Sequence, residues 1–168
     1  MVEPINSTPQ KENEMRKTVL IFLVLFLSLS ALTFKAHISI PNTDANVGSI
    51  VEIPINVKDA SGIAGFQATV TYDASVVQAT GVTVGELTSG WMITPNIKNE
   101  GQISVVGIDT SLKGLQGSSG SLVKLKFKIV GQSGKRSNLK FTMCKLSDTS
   151  GVEIPSNCKQ GSIKINNK

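Results

Sequence analysis

Few residues in this 168-residue sequence can do acid–base, nucleophilic or metal chemistry. His37 is the only histidine, and histidine is the side chain that titrates closest to neutral pH. Cys144 and Cys158 are the only cysteines, too few for an ordinary structural zinc site built from four cysteine and histidine ligands. The sequence therefore predicts no catalytic centre, no metal site and no cofactor.

The carboxylates are scattered, and no nucleophile–base arrangement accompanies them. Asp73, Asp109 and Asp148 each lie beside Thr, Ser or Ala at the end of an apolar segment. We interpret them as turn formers, with calcium ligation or contact with a partner as the alternative. We do not expect the protein to be an enzyme.

The N-terminal part has the composition of an export leader. Residues 18–34 carry no charge, and Arg16-Lys17 directly precede them, as a basic region precedes the apolar region of a signal peptide. Seventeen residues lie at the short edge of the roughly 17 to 25 that span a bilayer. We expect residues 1–31 to be a hydrophobic leader helix, either a cleaved signal peptide or a retained signal anchor, with Met15 as a candidate start.

The remaining residues, 32–168, are then secreted or extracellular, or are anchored to the outer side of the cytoplasmic membrane. An oxidising compartment favours a disulfide between Cys144 and Cys158, with two free thiols as the alternative. A composition of 40% hydrophobic and 17% charged residues excludes a disordered chain and indicates one globular domain.

Apolar residues in this domain recur with period two, the pattern of strands with one buried face. The first candidate strand contains Ile38 and Ile40. Eight more lie at 50–58, 65–72, 76–84, 91–98, 102–108, 122–130, 138–146 and 162–166. Gly-, Ser- and Asn-rich turns separate them, and no segment after the leader has helical apolar spacing. Pro54 predicts an edge position or a bulge in its strand. The pattern predicts an all-β, nine-stranded antiparallel β-sandwich.

Two long segments carry a resemblance to a known family. They are HISIPNTDANVGSIVEIPINVKDASGIAGFQATVTYDASVVQATGVTVGEL, which begins at His37, and GQISVVGIDTSLKGLQGSSGSLVKLKFKIVG, which begins at Gly101. The order and spacing of these pieces over about residues 36–166 resemble a cohesin module. Ala74 departs from the pattern, since the family usually has Pro after Tyr-Asp.

The resemblance implies a jelly-roll sandwich that docks a dockerin, a small helical module of another protein that carries its own calcium. In the family one flat sheet face binds the dockerin. The corresponding strands here are 65–72, 92–98, 102–109 and 137–145. The outward positions that we expect to contact the partner are Gln67, Thr69, Thr71, Thr94, Asn96, Ser104, Val106, Ile108 and Asp109.

The segment 102–109 leaves two interpretations open. If Gln102 and Ser104 face outward, then Val106 and Ile108 are exposed apolar residues in the middle of the sheet, as a docking face requires. Alternatively, this strand is buried on both sides or contains a bulge.

The alternative function is direct binding of polysaccharide, because carbohydrate-binding modules share this architecture. Flat sugars are usually held by a row of exposed aromatic rings, and Trp91 is the single obvious candidate here. We expect Trp91 to pack in the core or at its rim instead.

Lys124, Lys126 and Lys128 form a basic stripe along one predicted strand. Such a stripe could attract an acidic polymer, an anionic lipid surface or nucleic acid. We favour an ordinary solvated strand face that discourages edge aggregation. No aromatic residues are interleaved for stacking on bases, so nucleic acid is not expected, and membrane contact is expected only through an uncleaved leader.

Overall fold

The chain folds as strands without helices in the computed structural model, which describes residues 36–117 and 119–167. The predicted leader, residues 1–31, lies outside the described residues. The strands are β1 (Ala36–Ser39), β2 (Asn42–Asn46), β3 (Ile50–Lys58), β4 (Gly65–Thr71), β5 (Val77–Val84), β6 (Met92–Asn96), β7 (Gln102–Ile108), β8 (Ser119–Ile129), β9 (Arg136–Ser147), β10 (Glu153–Ile154), β11 (Ser156–Lys159) and β12 (Gly161–Asn166). In this part of the chain no helix is long and apolar enough to cross a membrane.

The strands form two sheets that pack as a sandwich. The smaller sheet has the order β11-β1-β3-β8-β5. The larger sheet has the order β2-β12-β9-β4-β7-β6, and β10 also pairs with β9. The all-β sandwich predicted from the sequence is confirmed.

The core lies between the sheets and follows the predicted alternation. Its fully buried side chains come from every second position of the central strands, as in Ile53 and Ile55 of β3 and Leu125 and Phe127 of β8. The ring of Tyr72 meets that of Phe127 edge-on, with the centroids 5.3 Å apart. Period-two burial therefore fixes which side of each strand faces the opposite sheet.

Two neighbouring strands cross together from one sheet to the other. β1 pairs in parallel with β11 in the smaller sheet, and their continuations β2 and β12 pair in parallel in the larger sheet. A side chain at Gly161, where β12 begins, would lie 2.4 Å from the carbonyl oxygen of Pro41, so only glycine fits this crossing. These parallel pairs are an exception to the antiparallel pairing expected from the sequence.

Three strands were not expected from the sequence: β2, β10 and β11. Their sequences, NTDAN, EI and SNCK, are short and have no run of alternating apolar residues. Because β2 and β11 lie at sheet edges and β10 is a two-residue strand beside β9, they form by pairing with a neighbour.

Pro54 was expected at an edge position or a bulge, and the structure places it next to a register shift in an internal strand. β3 is an internal strand, but β1 pairs with it only from Asn56 to Lys58, so Pro54 faces β8 alone. A register shift in the pairing of β3 with β8 follows directly, between Ile55 and Asn56. The missing N–H of proline is thus placed where the ladder on one side has ended.

A disulfide joins the two sheets beside this crossing. Cys144 on β9 and Cys158 on β11 are bonded, with their Cα atoms 6.6 Å apart. Both side chains are half-buried and pack against the core. The bond therefore ties the edge strand β11, which pairs only with β1, to the interior of the larger sheet.

We expect the double variant Cys144→Ala/Cys158→Ala to lose about 3 kcal/mol of unfolding free energy, because the bond closes a loop with a sequence separation of 14 residues. Urea denaturation measures the change, and the reduced native chain should show the same loss. An unchanged urea midpoint in both samples would contradict a stabilising role for the bond.

Candidate functional site

Strand β4 organises the exposed surface of the larger sheet. It pairs with β7 on one side and with β9 on the other along its whole length, and β6 continues the sheet beyond β7. Because side chains alternate between the two sides of each strand, aligned strands place their outward side chains in rows. We call the surface formed by these rows the outer face.

The outer face contains four rows that run across the strands. Read from β9 towards β6, they are Ser147, Gly65, Ile108 and Met92; Lys145, Gln67, Val106 and Thr94; Met143, Thr69, Ser104 and Asn96; and Lys140, Thr71 and Gln102. Eight of the nine partner-binding residues expected from the sequence are members of these rows. The structure therefore brings them together, and their role in binding stays a prediction.

Strand β7 resolves the two interpretations of segment 102–109. Ile103 and Val105 are each 1% exposed, so they occupy the core side of the strand. Ile108 is 42% exposed and Val106 is half-buried on the other side, and the pairing of β7 with β4 has no register shift. The strand is therefore regular, with one buried side and one side that presents apolar groups to solvent.

The middle of the outer face is uncharged and combines exposed apolar side chains with neutral polar ones. Met92, at 53% exposure, lies beside Ile108 in the first row, and Met143, at 39%, lies in the third. The only charged side chains in the rows are Lys140 and Lys145, both on β9. Protein–protein contact surfaces are likewise depleted of charged residues at their centre.

Thr69 and Ser104 share a hydrogen bond of 3.0 Å between their hydroxyl oxygens. Thr69 is only 9% exposed, although its side chain belongs to the outward row. The Gln102 amide approaches the Ser104 hydroxyl at 3.5 Å. These polar groups are already partly satisfied, so we expect Thr69 to support the face more than to contact a partner directly.

A shallow groove of about 330 Å³ opens at the end of the outer face nearest Gly65. It exists because Gly65 adds no side chain between Ile108 and Ser147 in the first row. A Cβ at Gly65 would lie 2.6 Å from the Ser147 hydroxyl oxygen. The rim includes Lys145 and Glu153, which form an exposed ion pair of 3.1 Å.

The sequence analysis included 137–145 among the strands of this face but named no contact residue from it. Leu139 and Phe141 point inward, so strict alternation would also bury Met143. A bulge breaks the alternation, because Thr69 and Val70 of β4 face Met143 and Phe141 with Thr142 left over. Such a bulge leaves no clear signature in the apolar pattern, which is why Met143 was not expected on the face.

Beneath the outer face, an aromatic ring occupies the space beside a glycine. Phe66 of β4 lies opposite Gly107 of β7, and a Cβ on Gly107 would lie 2.1 Å from the Phe66 ring. Trp91 stacks on the same ring with the centroids 6.2 Å apart. Trp91 is thus a half-buried packing residue, as expected from the sequence, and it anchors the start of β6.

Asp109 is a correction to the expected partner contacts. Its side chain is 4% exposed, and its carboxylate accepts hydrogen bonds from the backbone N–H groups of Ser111, Lys113 and Gly114 and from the Ser111 hydroxyl. The carboxylate is directed into the loop that follows β7. This loop includes Leu112 at a φ of 56°, a strained conformation that the Asp109 bonds hold in place.

These hydrogen bonds set the charge state of Asp109. The Ser111 hydroxyl makes the largest contribution, and the bonds together lower the pKa of the carboxyl group below its ordinary value, against the opposing effect of desolvation. Asp73 and Asp148 also bond to the residue two positions later, Ser75 and Ser150. All three aspartates are turn formers, as the sequence indicated.

Within the described residues, no group of three His, Cys, Asp or Glu side chains is placed to hold a metal ion. His37 is an exposed residue of β1.

Comparison with protein families identifies the domain. Residues 36–165 match the family model described as the cohesin domain. A search of curated proteins finds no match.

Solved structures share the fold. A non-cellulosomal cohesin from the archaeon Archaeoglobus fulgidus superposes with a TM-score of 0.68 at 22% identity, over 78% of this chain and 91% of that chain. The sixth cohesin of Acetivibrio cellulolyticus scaffoldin B, solved with a Cel5 dockerin mutant, gives 0.70 at 22% identity, over 78% and 99%. The Coh-OlpC–Doc435 complex of Clostridium thermocellum gives 0.70 at 22%, over 80% and 96%. The sandwich therefore corresponds to nearly the whole of each of these solved chains.

We expect Gly107→Ala to destabilise the domain by about 1 to 3 kcal/mol, because the new Cβ overlaps the Phe66 ring. Gly81→Ala is the matched control on strand β5, where the nearest atom, Lys126 Cδ, is 4.0 Å away. The control should change the unfolding free energy by less than about 1 kcal/mol. Equal effects of the two changes in urea denaturation would contradict the proposed packing of Phe66 on Gly107.

We expect Asp109→Asn to lower the melting temperature at neutral pH, because an amide cannot replace all the acceptor sites of the carboxylate. Folding lowers the pKa of the Asp109 carboxyl group, so the group stabilises the folded protein at pH values above its pKa in the unfolded chain. This contribution is lost as the pH falls through the pKa of the group in the folded protein. The difference from the native protein should therefore shrink below about pH 4.

Thermal unfolding followed by circular dichroism from pH 7 to pH 2 measures this difference. Glu100→Gln, in an exposed turn, is the control and should leave the melting temperature unchanged. A difference between Asp109→Asn and the native protein that stays constant down to pH 2 would contradict the role of the charged carboxylate.

Proposed function

The chain belongs to the cohesin family, and we propose that its sandwich is a non-catalytic docking module that binds a dockerin-bearing protein through the outer face. The single observation that carries this proposal is the group of apolar side chains that β6, β7 and β9 present on the outer face, namely Met92, Val106, Ile108 and Met143. The fold supports it too, since cohesins of the same architecture have been solved with dockerins bound.

The chemistry of the outer face suggests how a partner would be held. Ile108 and Met92 are neighbours in one row and Val106 lies in the next, so together they offer a continuous apolar strip. Burial of such a strip under a partner helix would supply most of the binding free energy, because a few well-packed apolar residues dominate typical interfaces. The surrounding Gln67, Thr94 and Asn96 would then provide hydrogen bonds at the rim.

The groove beside Gly65 supplies a second element of complementarity. It is wide enough for one apolar side chain of the partner, which would lie against Ile108 and Ser147. The Lys145–Glu153 ion pair at its rim would offer both a donor and an acceptor to polar groups of the partner. Calcium in the complex would belong to the dockerin, whose paired acidic loops supply the oxygen ligands.

Direct binding of polysaccharide is not favoured. A platform for flat sugars needs several exposed rings, and Trp91 is half-buried against Phe66. The described surface therefore offers apolar aliphatic side chains, which suit a protein partner better than a sugar face.

The proposed location is outside the cytoplasm, either as a secreted domain or held at the membrane by residues 1–31. The uncharged segment 18–34 supports this proposal. Mass spectrometry of the mature N-terminus distinguishes the two, since cleavage after Ser30 or Ala31 removes the apolar segment and a retained anchor leaves it in place.

We expect Ile108→Asp to weaken binding of a dockerin-bearing protein from the same genome by at least about 30-fold, as loss of a central apolar contact does at typical interfaces. Isothermal titration calorimetry measures the affinity, with the dockerin-bearing protein recovered in a pulldown as the titrant. The matched control is Ile50→Asp, because Ile50 is 64% exposed on the outer surface of the smaller sheet.

The control should bind like the native protein. Equal loss in both variants would argue against the outer face, and unchanged binding in both would place the contact elsewhere. Failure of the folded native domain to bind any dockerin-bearing protein of that genome would overturn the proposed function itself.

A further inference from the structure

The smaller sheet presents an outer surface on the opposite side of the sandwich from the outer face. Five lysines project from its strands: Lys58 of β3, Lys124, Lys126 and Lys128 of β8, and Lys159 of β11. Each is exposed or half-exposed. We call this surface the basic face.

The strand register spreads these lysines across the sheet. The three lysines of β8 repeat every second residue, which spaces them about 7 Å apart along the strand. Lys58 lies opposite His37 of β1, and Lys159 lies opposite Ser39, so the charge continues over the strands beyond β3. The stripe recognised in the sequence is therefore one part of a wider surface.

The charge on this surface is nearly unopposed. Among the described residues, Glu52 is the only carboxylate in the five strands of the smaller sheet. It pairs with Lys126 at 3.2 Å, and both side chains are well exposed, so the pair contributes little to stability. The basic face keeps an excess of four positive charges out of a net charge of +5 for the whole chain.

Protection of a sheet edge does not account for the stripe. Lysines discourage aggregation when they lie on an edge strand, but β8 is internal and pairs with both β3 and β5. The part of the expected explanation that concerns edge protection therefore does not fit the position of the strand.

We propose that the basic face binds an anionic phospholipid surface. The face is part of a sheet, and its outward positions in the described strands carry no Phe, Tyr or Trp ring, which disfavours stacking on bases or sugars. β1 is a strand of this sheet and is preceded in the sequence by the uncharged segment 18–34. A group of lysines gains electrostatic attraction to anionic headgroups without needing a fitted pocket.

This arrangement gives the two sides of the sandwich different partners. A domain that lies on lipid through the basic face leaves the outer face directed to solvent. Both surfaces can then be used together, and lipid binding does not depend on the proposed docking function.

The test uses residues 36–168, because the same sandwich makes up 91% to 99% of the similar solved chains and is a complete folding unit. Flotation with vesicles of phosphatidylcholine, with and without phosphatidylglycerol, measures binding at low and high salt. The variant Lys124→Gln/Lys126→Gln/Lys128→Gln is compared with Lys98→Gln/Lys113→Gln/Lys140→Gln, which removes the same charge from exposed positions elsewhere. Circular dichroism confirms that each variant is folded.

The native domain should float with the anionic vesicles at low salt, stay unbound with the neutral ones, and be released by high salt. The β8 variant should lose at least roughly tenfold in affinity, and the control variant should lose much less. An equal loss in both variants would show attraction to net charge alone and overturn the assignment. Absence of binding to anionic vesicles, or tighter binding to DNA or heparin than to lipid, would also overturn it.

Discussion

Strand β4 is the element on which the exposed site depends, because it is hydrogen-bonded along its whole length to β7 and to β9. This double pairing aligns outward side chains from separate parts of the sequence into rows. Ile108 and Ser147 both lie opposite Gly65, and the groove opens between them because that position has no side chain. Without this register the apolar residues of β6, β7 and β9 would be isolated points on the surface.

The same pairing depends on close packing beneath the sheet. Phe66 lies over Gly107 and is stacked by Trp91, so one glycine and two rings position the three strands β4, β7 and β6. Asp109 then terminates β7 by holding the following loop through four hydrogen bonds. The face is consequently built on rigid strands, which suits a surface that binds without first having to order itself.

The two sides of the sandwich differ sharply in charge although both come from the same alternating pattern. Outward positions of the larger sheet are neutral or apolar around Val106, while those of the smaller sheet carry most of the net positive charge. Because the inward side chains of every strand form the core, the outward side chains of the two sheets can differ in charge independently of each other. A docking surface and a charged surface can thus coexist in a domain of this size.

Much of this organisation is determined by the sequence alone. Period-two alternation specified the sandwich and the inward side of β3, β4 and β8, because a strand with one buried side must alternate. It also placed Gln67 on the outward side of its strand, whereas the side occupied by Ile108 stayed open until the burial of β7 was known. Asp109 could be identified as a turn former from its position between a strand and a Thr-Ser pair, but the burial of its side chain could not be predicted.

Only the tertiary structure decided the features that depend on partners distant in sequence. The strands β2, β10 and β11 form through pairing with their neighbours, and the bulge in β9 turns Met143 outward against its local pattern. The internal position of β8 likewise follows from strand order, which local periodicity does not encode. Alternation states which side of a strand is buried, whereas register and strand order, set by long-range packing, determine which exposed residues meet.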